Sequence, residues 1–232
     1  MAEVATSVSI PVKNDTDGNF EFVRELEVES CDKDLKIHQY TVGDVGCVVW
    51  DAGIALAKYL DHSNNANNSF VSKTVIDIGS GTGVVGLFAA ALGADVLLTD
   101  LPEFIPLIQK NIESNQDILK GSASASVLVW GEDVDKYPTP DIILVSDCIY
   151  YDKSVECLVP TLVNLASNKT EVLISYEDRI IGNKKELLKQ FLEELKKSFQ
   201  IQIIHPSEQH PHFQSPDIHL LKCKLKNAHG NC

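Results

Sequence analysis

The sequence has few basic residues, and they are not clustered. The chain of 232 residues carries 20 Lys and Arg against 33 Asp and Glu, which gives a net charge of −13. The one lysine-rich stretch, residues 184–197, is interrupted by glutamates. A protein that binds nucleic acid needs clustered cations to neutralise phosphates. We therefore expect no nucleic acid as substrate or partner, and an acidic surface of this kind suits a cationic protein segment instead.

Long apolar runs and paired cysteines are also absent. No apolar run approaches the roughly 18 residues of a membrane helix, and the N-terminal segment lacks the basic and apolar regions of a signal peptide. The six cysteines show neither a C-x-x-C pair nor another metal-ligand spacing, so we expect reduced thiols and no metal site. These absences predict a soluble protein of the cytoplasm, or of both cytoplasm and nucleus, with no membrane contact.

A regular alternation of strand and helix patterns begins at residue 74. Apolar runs such as 142–145 alternate with helical segments, as in a parallel sheet that is covered by helices on both faces. The last two strands, near 199–205 and 217–226, have no helix between them, which favours an antiparallel pair. The predicted organisation is an α/β fold of one structural domain, with a flexible tail at 1–18, an N-terminal β/α extension at 19–70 and the core at 71–232.

A glycine-rich loop at residues 79–83, Gly-Ser-Gly-Thr-Gly, follows the first core strand and precedes a helix. Glycines let a ligand approach the backbone, and the helix N-terminus presents free N–H groups to it. Asp100 ends the next strand about 20 residues further on, where a carboxylate can hold ribose hydroxyls. The loop also fits G-x-G-x-x-G through Gly81, Gly83 and Gly86. The pattern is therefore compatible with a nicotinamide dinucleotide as well as with S-adenosylmethionine.

Two features favour S-adenosylmethionine. Asp77 lies two residues before Gly79 and gives the form D-x-G-x-G-x-G, which looks like a methyltransferase loop with its acid near the cationic end of the cofactor. The second feature is the final strand pair without a helix, because a doubly wound dehydrogenase continues with another βα unit. Asp77 is alternatively a residue at a strand end that only caps the loop.

A carboxylate and a phenol, Asp147 and Tyr150, follow the apolar run 142–145 in the segment Ser-Asp-Cys-Ile-Tyr-Tyr. Ligands of open α/β sheets bind outside the carboxyl ends of the strands. A carboxylate and a phenol at that edge can accept hydrogen bonds from an incoming amine. Asp147 is alternatively a polar residue that caps a strand end and has no chemical role.

Several motifs in one order make the chain resemble a known family: GCVVWDA, IGSGTGVVGL, LGADVLLTDL, VLVWGED, SDCIYY, SYEDR and SPDIH. They are similar to those of the seven-β-strand protein lysine methyltransferases, whose signature after the fourth strand is Asp-x-x-Tyr. The resemblance spans about 20–226. It implies a class I (Rossmann-like, seven-β-strand) S-adenosylmethionine-dependent methyltransferase fold, with S-adenosylhomocysteine as the product. It also implies methylation of a lysine on a folded protein, with an AAA ATPase of the valosin-containing type as the expected partner, and we expect a monomer.

The resemblance also implies roles for individual residues. Asp147 orients the acceptor amine, and Tyr150 forms a pocket wall with a polar tip. The two tryptophans in the set below are alternatively ordinary core residues, and residues 176–179 either add polarity to the pocket or form a surface turn. The implied cofactor contacts are Trp50, Asp77, Gly79, Ser80, Gly81, Asp100, Trp130 and Ser146, the last of them through its backbone.

Three rival functions are compatible with the same fold. The first is a sibling lysine methyltransferase that acts on chaperones or translation factors. The second is a small-molecule methyltransferase with the same cofactor. The third is a catalytically idle module that binds a chaperone or an ATPase. An idle module has no need of Asp100, Asp147 and Tyr150 together, and the sequence has all three.

Overall fold

The computed structural model describes residues 11–14, 20–41, 43–64, 69–180 and 182–227. The composition of the segment Ser-Asn-Asn-Ala-Asn-Asn-Ser, residues 63–69, predicts a loop. Residues 65–68 of that segment and the rest of the predicted tail lie outside the described residues. In chain order the elements are β1 (Pro11–Asn14), β2 (Phe20–Val28), β3 (Lys33–Tyr40), α1 (Asp51–Asn64), β4 (Thr74–Ile78), α2 (Val84–Ala91), β5 (Asp95–Asp100), α3 (Ile105–Ser114), β6 (Ser122–Val127), β7 (Ile142–Ser146), α4 (Asp152–Leu165), β8 (Glu171–Glu177), α5 (Lys184–Ser198), β9 (Phe199–Ile203) and β10 (Ile218–Leu225).

Seven strands form a central sheet in the order β6-β5-β4-β7-β8-β10-β9. β4 pairs in parallel with both β5 and β7, whereas β10 runs antiparallel to both β8 and β9. The antiparallel pair predicted from the missing helix is therefore confirmed. The chain leaves β4 towards one edge of the sheet and returns to β7 on the other side. This reversal of strand order creates a crevice at the carboxyl ends of β4 and β7, where ligands of such sheets bind.

The central sheet is buried on both faces because its middle strands are apolar throughout. Along β7, Ile142 and Leu144 belong to one hydrophobic core with residues of α1 and α2. Ile143 and Val145 belong to a second core with residues of α4 and α5. Burying each of these side chains contributes roughly 1.5–3 kcal/mol relative to leaving it exposed. The apolar run 142–145 is thus a strand covered on both faces, as the sequence predicts.

The N-terminal strands form a separate antiparallel sheet in the order β1-β2-β3. Apolar side chains of β2 and β3 pack into the same core as α1 and α2. Two side-chain oxygens at the C-terminal end of α3 accept hydrogen bonds from the backbone of β3. Asn111, in the helix, accepts from the His38 N–H at 2.7 Å, and Asn115, the residue that follows the helix, accepts from the Lys36 N–H at 2.8 Å. These bonds satisfy backbone groups of a strand that has no neighbour on that side, and they fasten the small sheet to the core.

Two boundaries differ from those predicted. Residues 11–14, assigned to the flexible tail from their sequence, pair with β2 as a short strand. The segment Ser-Ala-Ser-Val-Leu-Val-Trp predicts the third core strand over 124–130, but β6 spans 122–127. Its neighbour β5 ends at Asp100, which pairs with Val127, so the residues that follow have no partner strand. Trp130 therefore lies in the connection after β6 and not on the strand.

The described cysteines are free thiols, and two of them are deeply buried. Burial raises the pKa of the Cys148 thiol well above its ordinary value, and it raises the pKa of Cys223 to about 12. Neither is a reactive thiolate at neutral pH. Of the helices within the described ranges, none combines the length and the apolar character that crossing a bilayer requires.

Candidate active site

A cavity of about 250 Å³ opens at the carboxyl ends of β4, β5 and β7. It lies in the crevice where the strand order reverses, which is the expected place for a ligand in a sheet of this topology. The structure brings eight of the ten predicted site residues together in its wall. They are Trp50, Gly79, Ser80, Gly81, Asp100, Ser146, Asp147 and Tyr150.

The loop after β4 requires glycine at the two positions that line the cavity, Gly79 and Gly81. Gly79 and Gly81 have φ angles of +63° and +55°. A Cβ atom on Gly79 would lie 2.7 Å from the Cys148 Sγ and 2.9 Å from the Trp130 ring, and one on Gly81 would lie 2.9 Å from the Gly46 carbonyl oxygen. Any side chain would therefore be strained and would push the surrounding segments apart.

Asp100 is a buried carboxylate in the cavity wall. Its Oδ2 accepts a hydrogen bond from the Gly81 N–H at 2.7 Å, and its Oδ1 accepts one from the Leu101 N–H at 2.8 Å. Burial raises the pKa of Asp100 to about 6 despite these two bonds. An ionised carboxylate offers about four acceptor positions. Asp100 therefore has acceptor capacity left for two hydroxyl groups of a ligand.

Ser80 presents an unpaired hydroxyl at the same cavity. Its Oγ is buried and has no hydrogen-bond partner among the described residues, and the residue lines the cavity. A buried polar group without a partner costs roughly 1–3 kcal/mol. A polar ligand in the cavity would supply the missing partner.

Asp77 and Trp130 are not among the residues that line the cavity, and their contact with a cofactor stays a prediction. Asp77 lies within β4, and its Oδ2 accepts a hydrogen bond from the Gly86 N–H of α2 at 2.9 Å. Trp130 is displaced because β6 ends early, and its ring packs on Gly79. Both side chains therefore support the glycine loop and the helix after it without reaching into the cavity.

We expect Asp77→Asn to stabilise the protein increasingly as pH rises. Burial raises the pKa of Asp77 from 3.8 to about 7, so ionisation of the folded protein is unfavourable. Stability is then lost as pH rises from 3.8 towards about 7, and the amide avoids that loss. The gain in unfolding free energy should be larger by at least about 1 kcal/mol at about pH 8 than at about pH 5 in urea titrations. An equal difference at both pH values would contradict this account.

Asp147 directly follows β7, and β4 separates that strand from β5 in the sheet. Its backbone is left-handed, with a φ angle of +54°, a conformation that Asp tolerates better than most residues. Its N–H donates to the Ser175 carbonyl at 2.9 Å. Its side chain is only 6% exposed, and both carboxylate oxygens accept hydrogen bonds from the guanidinium of Arg179. Residues outside helices and strands in such unusual conformations cluster at functional sites.

Tyr150 and Trp50 form other parts of the cavity wall. Burial raises the pKa of Tyr150 further above its ordinary value, so its phenol stays protonated at neutral pH. Trp50 is 41% exposed, which excludes the alternative that it is a core residue. Its Nε1–H donates to the Val45 carbonyl at 2.8 Å, which fixes the indole at the cavity rim.

Two cations of the cavity wall were not among the predicted site residues. Arg179 belongs to the segment 176–179, for which a surface turn was an equal alternative, and the structure places it against Asp147 and Trp50. Lys184 begins α5 and donates a hydrogen bond to the Tyr150 carbonyl. A lysine at the start of an amphipathic helix resembles any solvated lysine, so the sequence offers no signal for it.

The strand order, the glycine loop and the acid at the end of β5 together define a class I methyltransferase fold. The structure is similar to that of a TehB-like SAM-dependent methyltransferase from Corynebacterium glutamicum, with a TM-score of 0.55 and 17% identity over 74% of this chain and 88% of that chain. It is also similar to magnesium protoporphyrin IX methyltransferase from Synechocystis with bound SAH (S-adenosylhomocysteine), with a TM-score of 0.51 and 15% identity over 79% of this chain and 90% of that chain. These similarities establish the fold.

Sequence comparison identifies the family. Residues 29–198 match the family described as lysine methyltransferase. The chain is 36% identical over 188 residues to protein N-lysine methyltransferase METTL21A of Danio rerio, covering 79% of this chain and 78% of the relative. It is 32% identical over 161 residues to EEF1A lysine methyltransferase 3 of Xenopus tropicalis, covering 68% and 70%. The chain belongs to the lysine methyltransferase family.

The cofactor of this family is S-adenosylmethionine, and the residues of the cavity fit it. The unpaired Ser80 hydroxyl and the remaining acceptor positions of Asp100 suit the polar groups of a nucleoside. The loop glycines leave room for close approach of a ligand to the backbone. Ser80, Gly79, Gly81 and Asp100 would therefore hold the cofactor, and the family match decides between the two ligands that the glycine pattern allows.

Proposed function

We propose that this protein transfers a methyl group from S-adenosylmethionine to the side-chain nitrogen of a lysine in a folded protein. One observation carries the proposal. A single cavity is lined both by Ser80 and Asp100, which suit the cofactor, and by Asp147 and Tyr150, which suit an acceptor amine. Its wall also contains Trp50, whose exposed indole provides an apolar rim for the stem of a lysine side chain.

The acceptor amine must be neutral and correctly aimed when it reacts. The bound cofactor supplies a methyl group on a positively charged sulfur: the bond from nitrogen to carbon forms as the bond from carbon to sulfur breaks. Free lysine has a pKa near 10.4, so one proton must pass from the ammonium group to solvent water before the attack. Tyr150 cannot accept that proton while its phenol is protonated. Asp147 accepts a hydrogen bond from the amine and directs its lone pair, a positioning effect worth several kcal/mol.

For the substrate, we propose an AAA ATPase of the valosin-containing type. The order of sequence motifs around the site supports this choice, and the net charge of −13 favours a cationic segment around the lysine. A translation elongation factor is the second candidate. One observation favours it: similar relatives from Xenopus tropicalis and Mus musculus are named EEF1A lysine methyltransferase 3.

The test is a methylation assay with purified components. The protein is incubated with methyl-labelled S-adenosylmethionine and, separately, with a valosin-type ATPase, elongation factor 1A and free lysine. We expect label on one lysine of the ATPase, located by mass spectrometry, and none with the Asp100→Ala variant. Label on the elongation factor alone would replace the ATPase by the second candidate. Label on free lysine alone would indicate a small-molecule methyltransferase, and cofactor binding with no label at all would indicate an idle module.

A further inference from the structure

Arg179 occupies the acceptor end of the cavity and has no role in the function proposed above. It lies two residues after β8, and its side chain is 25% exposed. Its Nη1 donates to Asp147 Oδ1 at 2.9 Å, and its Nη2 donates both to Asp147 Oδ2 and, at 2.9 Å, to Glu177 Oε2. The guanidinium carbon also lies 5.2 Å from the centre of the Trp50 ring. Three neighbours therefore hold one guanidinium in a fixed orientation.

This arrangement addresses a conflict in the use of a carboxylate to bind a reacting amine. An opposite charge within about 4–6 Å favours the charged form of an ionisable group. An unpaired Asp147 would therefore bind the acceptor lysine as an ammonium ion, which has no lone pair for attack. A carboxylate that already carries a bidentate guanidinium exerts a much weaker attraction on a second cation.

We propose that Arg179 is a positioning residue for lysine methylation: it fixes the carboxylate of Asp147 and weakens the attraction of that carboxylate for a second cation, so that the acceptor lysine binds there as a neutral amine. The inference rests on the proposed function of the site. The bidentate contact uses one acceptor position on each carboxylate oxygen, so each oxygen keeps one for an N–H of the amine. Arginine suits this role because its planar fork matches a carboxylate and it does not lose its charge.

The remaining charges around the site do not replace Arg179. Glu177 is bound to the same guanidinium, so removing Arg179 leaves two carboxylates without a cation. Lys184 donates to the Tyr150 carbonyl and not to Asp147. Burial lowers the pKa of the Arg179 guanidinium, but its bonds to Asp147 and Glu177 outweigh that effect and raise it. The other titratable groups that line the cavity or act on Tyr150 are Asp44, Asp100, Cys148 and Tyr151.

The test is the pH dependence of methyl transfer in single turnover, with saturating cofactor and the protein substrate labelled in the assay above. Arg179→Gln removes the positive charge. Arg179→Lys keeps the charge but replaces the bidentate guanidinium by a single ammonium group. Arg24→Gln is the matched control, since Arg24 is the other of the two arginines of the chain, lies on β2 and does not line this cavity. Binding of S-adenosylhomocysteine and thermal unfolding are measured for every variant.

We expect Arg179→Gln to lose about tenfold in rate at about pH 7 and to recover most of it at about pH 9.5, a shift of about one unit in the pH midpoint. Arg179→Lys should show a smaller shift, and Arg24→Gln none. A loss by the same factor at every pH would overturn the inference, because it would indicate a merely structural role. If the wild-type protein labels no protein lysine at any pH, the proposed function fails and the inference fails with it.

Discussion

Asp147→Asn should bind S-adenosylhomocysteine with wild-type affinity and lose methyl transfer by roughly 100-fold. Asp147 faces Arg179 at the acceptor end of the cavity, while Ser80 and Asp100 lie in the part that suits the cofactor. An amide keeps the shape and tolerates the left-handed backbone, but it loses one of the two acceptors for the guanidinium. Its NH₂ group also repels the N–H groups of an incoming amine. When the acceptor amine is poorly oriented, turnover falls more than ground-state affinity does.

Tyr150→Phe is the matched comparison for Asp147→Asn. The ring still forms the cavity wall and keeps its edge contact with Tyr151, where the ring centres are 4.6 Å apart. We therefore expect a milder loss, measured in the same methylation assay with calorimetric cofactor affinity alongside. If Asp147→Asn turns over normally, or fails only because the cofactor no longer binds, then Asp147 merely caps the end of β7.

The fold was predictable from the sequence because each core strand carries its own physical signal. The run 142–145 has no polar residue, which is typical of a strand covered on both faces. The missing helix before β10 likewise predicted its antiparallel pairing. The end of β6 was not predictable in this way. Leu128 and Val129 continue the apolar pattern, but β5 ends at Asp100 and leaves them without a partner strand.

The parts of the site that were predictable from the sequence are those set by the spacing of neighbouring residues along the chain. Gly79 and Gly81 have left-handed φ angles, and Asp100 ends the neighbouring strand, so spacing alone identifies them. Arg179 was harder to assign because its partner Asp147 is 32 residues away. Nothing in a lone arginine near a strand end shows that its guanidinium faces a carboxylate that follows the adjacent strand. Which side chains of different strands meet depends on the order of the strands in the sheet. The sequence predicts the fold class but not the individual contacts between strands.

Asp100→Ala should weaken binding of S-adenosylhomocysteine by about tenfold or more, because hydrogen bonds to a charged group are worth roughly 1.5–3 kcal/mol each. The substitution also leaves the Gly81 and Leu101 N–H groups without their acceptor. Isothermal titration calorimetry gives the affinity, and Asp100→Asn separates the loss of charge from the loss of the loop contacts. Unchanged affinity in both variants, or binding of NADH in place of S-adenosylhomocysteine, would contradict the cofactor assignment.

The same carboxylate should make cofactor affinity depend on pH. Burial raises the pKa of Asp100 to about 6 in the protein without ligand, and the hydroxyl groups of a nucleoside donate to the ionised form. Affinity should therefore fall as pH decreases through about 6, by roughly tenfold between about pH 7 and about pH 5, because a bound proton must first leave. Asp100→Asn carries no ionisable group there and should bind weakly but evenly across this range. If the wild-type affinity is instead independent of pH while Asp100→Ala binds poorly, Asp100 acts only by holding the Gly81 loop. This result would contradict a contact between Asp100 and the ribose.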